Sequence, residues 1–185
     1  MKYSAVKGVK DILPPEVYAW QKAESAARDV FNAYGFQELR IPIIEHTDIF
    51  TRSIGETSDI VEKEMYTFMD KAGRSITLRP EGTAPAVRCY IENNLYTLTP
   101  PQKFFYHGPM FRYERPQKGR LRQFYQIGVE AFGSAGPAAD AEVISMLYAF
   151  LQRVGINGLN IELNSMGCEN CRPKYREALM GFFSD

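Results

Sequence analysis

The chain has 185 residues, of which 45% are hydrophobic and 24% charged, which is typical of a single folded domain. Its 22 basic and 22 acidic side chains give a formal net charge of zero, so any RNA contact must come from a local patch. No apolar run reaches membrane-spanning length and no signal-peptide core is present, so we predict a cytoplasmic protein without a membrane segment. An odd cysteine count of three argues against a disulfide framework.

The first predicted elements are a long helix and a strand. After a lead-in punctuated by glycine and proline, apolar residues at helical spacing predict a helix from about Glu16 to Ala33, which Gly35 ends. Residues 36–44 are predicted to form a strand, in which Pro42 is best tolerated at an edge or bulge.

A short helix, a hairpin and a longer helix come next. A short helix and a turn are predicted over residues 46–55. Strands over 65–68 and 75–79 flank a glycine-containing turn, which is typical of a hairpin. Thr83 is the predicted N-cap of a helix to Asn93. Its inner face is predicted to carry three apolar residues, which are Ala84, Val87 and Ile91.

The C-terminal part is predicted to contain two helices separated by a strand. The first helix covers Pro137 to Val154 and is stopped by Gly155. A strand follows over 159–163, and a last helix over about 172–183. The buried stripe predicted for the first helix consists of Val143, Leu147, Phe150, Leu151 and Val154.

The stretch from Phe104 to Gly133 is predicted to be an antiparallel hairpin with two chemically different faces. Side chains alternate between the faces of a strand. One face is apolar and carries Phe111, Tyr113, Tyr125, Ile127, Val129 and Ala131. The other is largely polar and carries Met110, Arg112, Glu114, Phe124, Gln126, Gly128 and Glu130.

The polar face has the chemistry to recognise a ligand that is both anionic and amine-bearing. Arginine presents a planar fork of donors to a phosphate. Carboxylates accept hydrogen bonds from ammonium or ring N–H groups, and Phe124 offers a surface for stacking. Alternatives remain open at this point: Arg112 could pair with Glu114 or Glu130, and the basic loop over 115–122 could be a solvated hairpin tip.

These residues carry a resemblance to a known family. FRYE, a basic loop and RQFYQIGVEAFG together resemble motif 2 of the class II aminoacyl-tRNA synthetases, in the form found in histidyl-tRNA synthetases. Three further segments are similar to the same family: KGVKDILP at 7–14, ELRIPIIEHTDIF at 38–50 and TLRPEGTAPAVR at 77–88. The resemblance implies an α+β fold in which an antiparallel sheet is flanked by helices.

The activity that the resemblance implies is ATP-dependent activation of L-histidine to histidyl-adenylate and its transfer to tRNA(His), with Mg²⁺ bridging the phosphates. Arg112 is the implied catalytic residue, on the α-phosphate. Glu114 would bind the adenine amino group, Phe124 would stack on the ring and Arg120 would bind the terminal phosphates. Arg122 is a weaker candidate for those phosphates.

The amino acid site follows from the same resemblance. Glu130 is implied for the imidazole, whereas Gln126, Glu81 and Thr83 are implied for the α-amino end. From the sequence alone, Glu81 and Thr83 could equally be helix-capping residues. No metal ligand is assigned. Arg115, Lys118 and Arg122 could contact either phosphates or the acceptor end of the tRNA.

Parts of the family pattern are not found, namely motif 3, a segment of the form RGLDYYTG and an anticodon-binding domain. We therefore expect residues 1–185 to be an N-terminal part of the catalytic domain, with an incomplete sheet and little histidine activation of its own. The resemblance of the first helix and strand to motif 1 implies a homodimer in the full-length protein.

Two alternatives and one further motif complete the prediction. The synthetase-like regulatory subunit of ATP phosphoribosyltransferase shares the fold, but the complete RPEGT and RPQKGR segments favour the ligase. A structural or RNA-binding piece without chemistry is disfavoured by the polar strand face. Cys168 and Cys171 have the spacing of half a zinc site, for which a second pair would have to lie in a longer chain.

Overall fold

A computed structural model describes residues 3–54, 60–164 and 167–184. Within them the chain forms five α-helices and two three-stranded sheets, with a π-helical turn at Ile60–Glu64 and a 3-10 turn at Leu95–Thr97. In chain order the elements are α1 (Glu16–Ala33), β1 (Gln37–Glu38), β2 (Ile44–His46), α2 (Thr47–Ile54), β3 (Tyr66–Met69), β4 (Ser75–Leu78), α3 (Thr83–Glu92), β5 (Gln102–Phe111), β6 (Gln123–Phe132), α4 (Pro137–Val154) and α5 (Cys171–Phe182).

The predicted central hairpin is confirmed. Strands β5 and β6 pair antiparallel over their whole lengths, from Gln102 opposite Phe132 to Phe111 opposite Gln123. Strand β1 adds to the other side of β5 in parallel, which gives the order β1-β5-β6. Residues directly opposite in such a pair share one face, so the predicted polar and apolar faces are retained along the hairpin.

The apolar face of the hairpin packs against α1 and α4. Phe31 of α1 lies 5.4 Å from Phe105 of β5 and 5.6 Å from Phe150 of α4, measured between ring centroids. The stripe predicted for α4 is wrong at Leu147, which is 52% exposed, whereas Met146 is buried in its place. Leu147 instead faces the segment 159–163. The other four predicted residues are in the core or pack against it, and they are Val143, Phe150, Leu151 and Val154.

The predicted strand over 36–44 is wrong as a continuous element, because the chain pairs only at β1 and β2. Between them the buried side chain of Arg79 takes the carbonyl groups that a neighbouring strand would otherwise use. Its Nη1 donates to the carbonyl of Ile41 at 2.7 Å and to that of Pro42 at 3.3 Å. Its Nε donates to the carbonyl of Pro109 at 2.9 Å. Pro42 has no N–H to donate to a neighbouring strand, so strand pairing is interrupted there. The guanidinium of Arg79 supplies the hydrogen bonds to the carbonyl groups instead.

The second sheet has the order β2-β4-β3 and contains the predicted hairpin. Its turn is closed by Asp70, whose Oδ1 accepts from the N–H groups of Ala72 and Arg74. Gly73 in this turn has φ +76°, a conformation that glycine adopts without steric cost.

The remaining helix predictions are confirmed, with α1 and α4 starting and ending at the predicted residues. The short helix predicted over 46–55 corresponds to α2, although Gly55 lies outside the described residues. The strand predicted over 159–163 is wrong. Residues 160–163 are exposed, and the described part of the chain places no strand beside them. None of the described helices is both long and apolar enough to cross a membrane.

Helix α3 begins at Thr83, but its N-cap is Gly82 and not Thr83 as predicted. The carboxylate of Glu81 takes over capping: it accepts from the N–H groups of Thr83 at 2.5 Å and Ala84 at 2.9 Å. An acidic side chain is favourable there because free N–H groups and a partial positive charge collect at a helix N-terminus. Ile91, predicted to face inward, is 58% exposed.

The ring of Tyr106 joins the start of α3 to the hairpin. A Cβ atom at Gly82 would lie 2.1 Å from Tyr106 Cε2, and a Cβ atom at Gly128 would lie 2.4 Å from Tyr106 Cζ. Both positions must therefore lack a side chain while the ring occupies this space. Tyr106 is 2% exposed, so the contact is part of the core.

Replacement of Gly128 by alanine tests this packing. We expect Gly128→Ala to lower the free energy of unfolding by about 1–3 kcal/mol, because the added methyl group overlaps the Tyr106 ring. Urea denaturation provides the measurement. Gly181→Ala is the matched control, since a Cβ atom there meets nothing within 4 Å and alanine favours the helix. Equal stability of the two variants would contradict the packing.

Candidate active site

The four residues predicted to bind a nucleotide line one cavity of about 460 Å³. They are Arg112, Glu114, Arg120 and Phe124. Their convergence follows from the hairpin, because Arg112 continues the direction of β5 and Phe124 lies near the start of β6. Three further residues complete the lining, which are Glu64, Gly119 and Leu121.

The guanidinium of Arg112 is oriented by the main chain and by an aromatic ring. Its Nε donates to the carbonyl of Pro80 at 2.9 Å. Its Cζ lies 5.2 Å from the centre of the Phe124 ring, within the range of a cation–π contact. The ion pair with Glu114 is long, at 3.9 Å from Nη1 to Oε1. Arg112 is thus held in place while its charge is only loosely compensated.

The basic loop between β5 and β6 presents Arg120 to the same cavity. The main chains of Gln117 and Arg120 bond to each other around a tight turn, in which Gly119 has φ +82°. The side chain of Arg120 is 63% exposed, and its Nη1 lies 3.6 Å from Glu114 Oε2. A surface pair of this length contributes little stability, so Arg120 is able to move to an anionic ligand.

Arg122 has a different environment from Arg120. Its Cζ lies 4.0 Å from the centre of the Tyr113 ring, and its Nε donates to the carbonyl of Glu114 at 3.3 Å. Its main-chain N–H donates to the carbonyl of Gly8 at 2.7 Å. A Cβ atom at Gly8 would lie 2.8 Å from Arg122 Cγ, so the N-terminal lead-in packs directly on this arginine. These contacts favour a structural role for Arg122.

Three of the four residues predicted for the amino acid, Glu81, Thr83 and Glu130, form a second group around Tyr106. The Tyr106 hydroxyl donates to Glu130 Oε1 at 3.3 Å. Burial raises the pKa of the Glu130 carboxyl, and the nearby charge of Glu81 raises it further, whereas hydrogen bonds with Thr83 and Tyr106 act in the opposite direction. Burial also raises the pKa of Tyr106 to about 12.

Among the residues that the structure describes, no cationic side chain forms a salt bridge with Glu81 or Glu130 of this acidic group. Because burial and the charge of Glu81 raise the pKa of Glu130, a positively charged ligand placed beside this carboxylate would stabilise its ionised form. A ligand ammonium or a protonated imidazole would favour the ionised form of Glu130. The group is therefore able to bind a small cationic or N–H-bearing molecule.

Gln126 lies between the cavity and the acidic group on strand β6. It shares a strand face with Phe124 on one side and with Glu130 on the other. Its side-chain oxygen is buried, and no hydrogen-bond partner for it lies in the part of the chain that the structure describes. Buried polar atoms are rarely left without a partner, so this oxygen is available to an N–H group of a ligand.

Two residues of this region were not found by sequence reasoning, Tyr106 and Glu64. Tyr106 could have been found from the strand alternation, because Met110, Gly108 and Tyr106 are every second residue of β5 and therefore share one face. Glu64 has no comparable signal, because it lies in the π-helical turn before β3 and is brought to the cavity by tertiary structure. The main-chain carbonyl of Glu64 accepts from the N–H of Tyr113 at 2.6 Å.

Comparison with known proteins identifies the family. The family model described as histidyl-tRNA synthetase matches residues 8–169. The histidine–tRNA ligase of Thermodesulfovibrio yellowstonii is 57% identical over 185 residues, which are 100% of this chain and 44% of the relative. The histidine–tRNA ligase of Moorella thermoacetica is 57% identical over 182 residues, which are 98% of this chain and 43% of the relative.

Solved structures show the same fold. The crystal structure of apo histidyl-tRNA synthetase from S. aureus matches with a TM-score of 0.79 and 41% identity, covering 98% of this chain and 42% of that one. A Bacillus halodurans protein described as an ATP phosphoribosyltransferase regulatory subunit/histidyl-tRNA synthetase matches with a TM-score of 0.72 and 25% identity, covering 85% of this chain and 39% of that one.

The fold prediction is confirmed, since antiparallel sheets flanked by helices match the class II synthetase structures. The chain spans about 44% of the length of the curated relatives it matches. The family match covers most of the chain and includes both groups of candidate residues. This chain therefore belongs to the histidyl-tRNA synthetase family.

Proposed function

We propose that the protein containing this chain is a histidine–tRNA ligase, which activates L-histidine with ATP and transfers it to tRNA(His). The observation that carries the proposal is the arrangement along one face of β6. Phe124 lines the cationic cavity, Glu130 belongs to the acidic group, and Gln126 lies between them. A nucleotide and a small amine-bearing molecule would thus be neighbours on one strand.

Arg112 is the proposed catalytic residue. In the activation step a carboxylate oxygen of histidine attacks the α-phosphorus of ATP, a bond forms to it, and the bond to the β-phosphate oxygen breaks to release pyrophosphate. Negative charge concentrates on the α-phosphate oxygens in the transition state, so a fixed cation there lowers the barrier. The bond from Arg112 to the Pro80 carbonyl and its contact with Phe124 supply that fixed orientation.

The remaining cavity residues would bind the rest of ATP. Phe124 would stack on the adenine, Glu114 would accept from its amino group and Arg120 would bind the terminal phosphates. The long ion pairs of Glu114 with the two arginines support this assignment, because neither has to be broken at high cost when ligand groups replace it.

Histidine would occupy the acidic group. Glu130 would accept from the imidazole, whereas Gln126, Glu81 and Thr83 would bind the α-amino end. A site built to pair with a polar group strongly rejects analogues that lack that group. Tyr106 does not need to touch the substrate. We assign it as a positioning residue, because it bonds to Glu130 and packs between the glycines that flank the site.

Mg²⁺ would accompany ATP. The ion is commonly held by substrate phosphates and one or two carboxylates, so a dedicated cage is not required. Within the described residues no group of three His, Cys, Asp or Glu side chains is arranged to hold a metal. Two acidic residues, Glu64 and Glu114, line the cavity, which fits an ion held mainly by phosphates. The ion would neutralise charge on the phosphates.

The wider assignments rest on the family. We propose that residues 1–185 are part of a class II catalytic domain with motifs 1 and 2, that the full-length protein is a cytoplasmic homodimer, and that the basic loop lies near the tRNA acceptor end. The regulatory subunit of ATP phosphoribosyltransferase is the alternative. Identities of 57% to ligases, against 25% to the protein whose description includes that subunit, support the ligase.

Glu130→Gln tests the amino acid site. The substitution keeps the size of the side chain but removes its charge, so we expect histidine to bind about tenfold more weakly or worse, while ATP affinity changes less than about threefold. Isothermal titration of the full-length protein measures both. The exposed Glu162→Gln is the matched control. Equal losses for the two ligands would show that Glu130 does not bind histidine.

Arg112→Met tests the reaction. We expect pyrophosphate exchange by the full-length protein at saturating histidine to fall by about 10²–10³-fold, the cost of removing one fixed donor from a transition state. Arg74→Met is the control, because Arg74 lies on the β3–β4 turn and pairs only with Asp70 among the described residues. The proposal would be refuted if the pyrophosphate exchange rate of Arg112→Met stayed within about threefold of that of the unsubstituted protein. It would also be refuted if the unsubstituted protein did not charge tRNA(His).

A further inference from the structure

Two of the three cysteines lie against each other at the start of α5. Cys168 and Cys171 are both exposed, and their sulfur atoms are 3.4 Å apart. Cys89 lies elsewhere, on α3, where it is half-buried and receives a contact from Asn93 Nδ2 at 3.5 Å. Neither Cys168 nor Cys171 lines the nucleotide cavity or belongs to the acidic group.

The main chain holds the two thiols in this arrangement. The carbonyl of Cys168 accepts from the N–H of Cys171 at 3.1 Å and from that of Arg172 at 2.9 Å, which closes a turn at the helix start. Gly167 has φ +68°, and a Cβ atom there would lie 3.3 Å from Cys171 Cβ. A disulfide bond is about 2.05 Å long. Side-chain rotation has to shorten the gap by little more than 1 Å.

The environment favours Cys168 as the more reactive thiol. The hydrogen bond between the two thiols and those from the N–H groups of Cys171 and Asn170 lower the pKa of Cys168. The N-terminus of a helix stabilises a thiolate in the same way. Since the thiolate is the nucleophile in disulfide exchange, an accessible thiol with this environment is the one that attacks first.

We propose that Cys168 and Cys171 form a reversible disulfide, with Cys168 as the attacking thiol and Cys171 as the resolving one. The oxidant is a low-molecular-weight disulfide of the glutathione type. The Cys168 thiolate attacks one sulfur of this disulfide, forms a mixed disulfide and releases one thiolate. Cys171 then loses its proton and attacks the Cys168 sulfur, which closes the protein disulfide and releases the second thiol. Two protein thiols are oxidised, and one small disulfide is reduced.

A metal site explains the pair less well. Structural zinc usually takes four ligands, and two thiols supply half of them. Among residues 3–54, 60–164 and 167–184 no group of three potential metal ligands is present. Redox exchange, in contrast, requires only the two thiols that are already in contact.

The test uses a Cys89→Ser variant of residues 1–185, in which the pair are the two remaining cysteines. After exposure to oxidised glutathione at neutral pH, we expect the intact protein to lose two hydrogen atoms and to regain them with dithiothreitol. Peptide mapping should place the bond between Cys168 and Cys171. The proposal would be overturned if both thiols still reacted with maleimide after this treatment. It would also be overturned if each cysteine carried one glutathione and no bond formed between Cys168 and Cys171.

Single substitutions in that background separate the two roles. Cys171→Ser should accumulate glutathione on Cys168, because the resolving thiol is missing. Cys168→Ser should react with oxidised glutathione at least about threefold more slowly than Cys171→Ser, because it lacks the thiol that the N–H groups of the turn stabilise. Circular dichroism checks that each variant is folded. Equal rates, or faster reaction of Cys168→Ser, would overturn the assignment of the attacking thiol.

Discussion

The packing of the Tyr106 ring between Gly82 and Gly128 is the contact on which the candidate site depends. On one side of the ring lie Glu81 and Thr83, at the start of α3, and on the other lies Glu130 of β6. A side chain at either glycine would push the two elements apart. The acidic group is therefore assembled by close packing, and the same burial raises the pKa of Glu130.

A second constraint comes from Arg79, immediately before this region. Its buried guanidinium donates to the carbonyls of Ile41, Pro42 and Pro109, which satisfies a charge that would otherwise be costly in the core. A Cβ atom at Gly108 would lie 2.5 Å from Arg79 Nη2, so this side chain also requires a neighbouring glycine. The RPEGT segment thus anchors the chain through its arginine and supplies candidate ligand contacts through Glu81 and Thr83.

The sequence was informative where a local pattern decides the structure. Helical spacing located α1 and α4, and strand alternation located the hairpin and its two faces. Sequence-based predictions were wrong where contacts between distant parts of the chain determine the local structure. Pro42 and Arg79 break the strand predicted over 36–44, Glu81 replaces Thr83 in capping α3, and residues 159–163 have no strand beside them among the described residues. Strand alternation places Tyr106 on the polar face, but its packing against Gly82 and Gly128 is a tertiary contact that no local pattern shows.

The roles of individual site residues came from family resemblance, whereas the structure supplies the contacts that make those roles physically reasonable. A crystal structure of the full-length protein with histidine and a non-hydrolysable ATP analogue tests this account most directly. We expect the imidazole against Glu130, the adenine on Phe124 and the α-phosphate against Arg112. Histidine bound away from Glu130, or an α-phosphate out of reach of Arg112, would contradict the account.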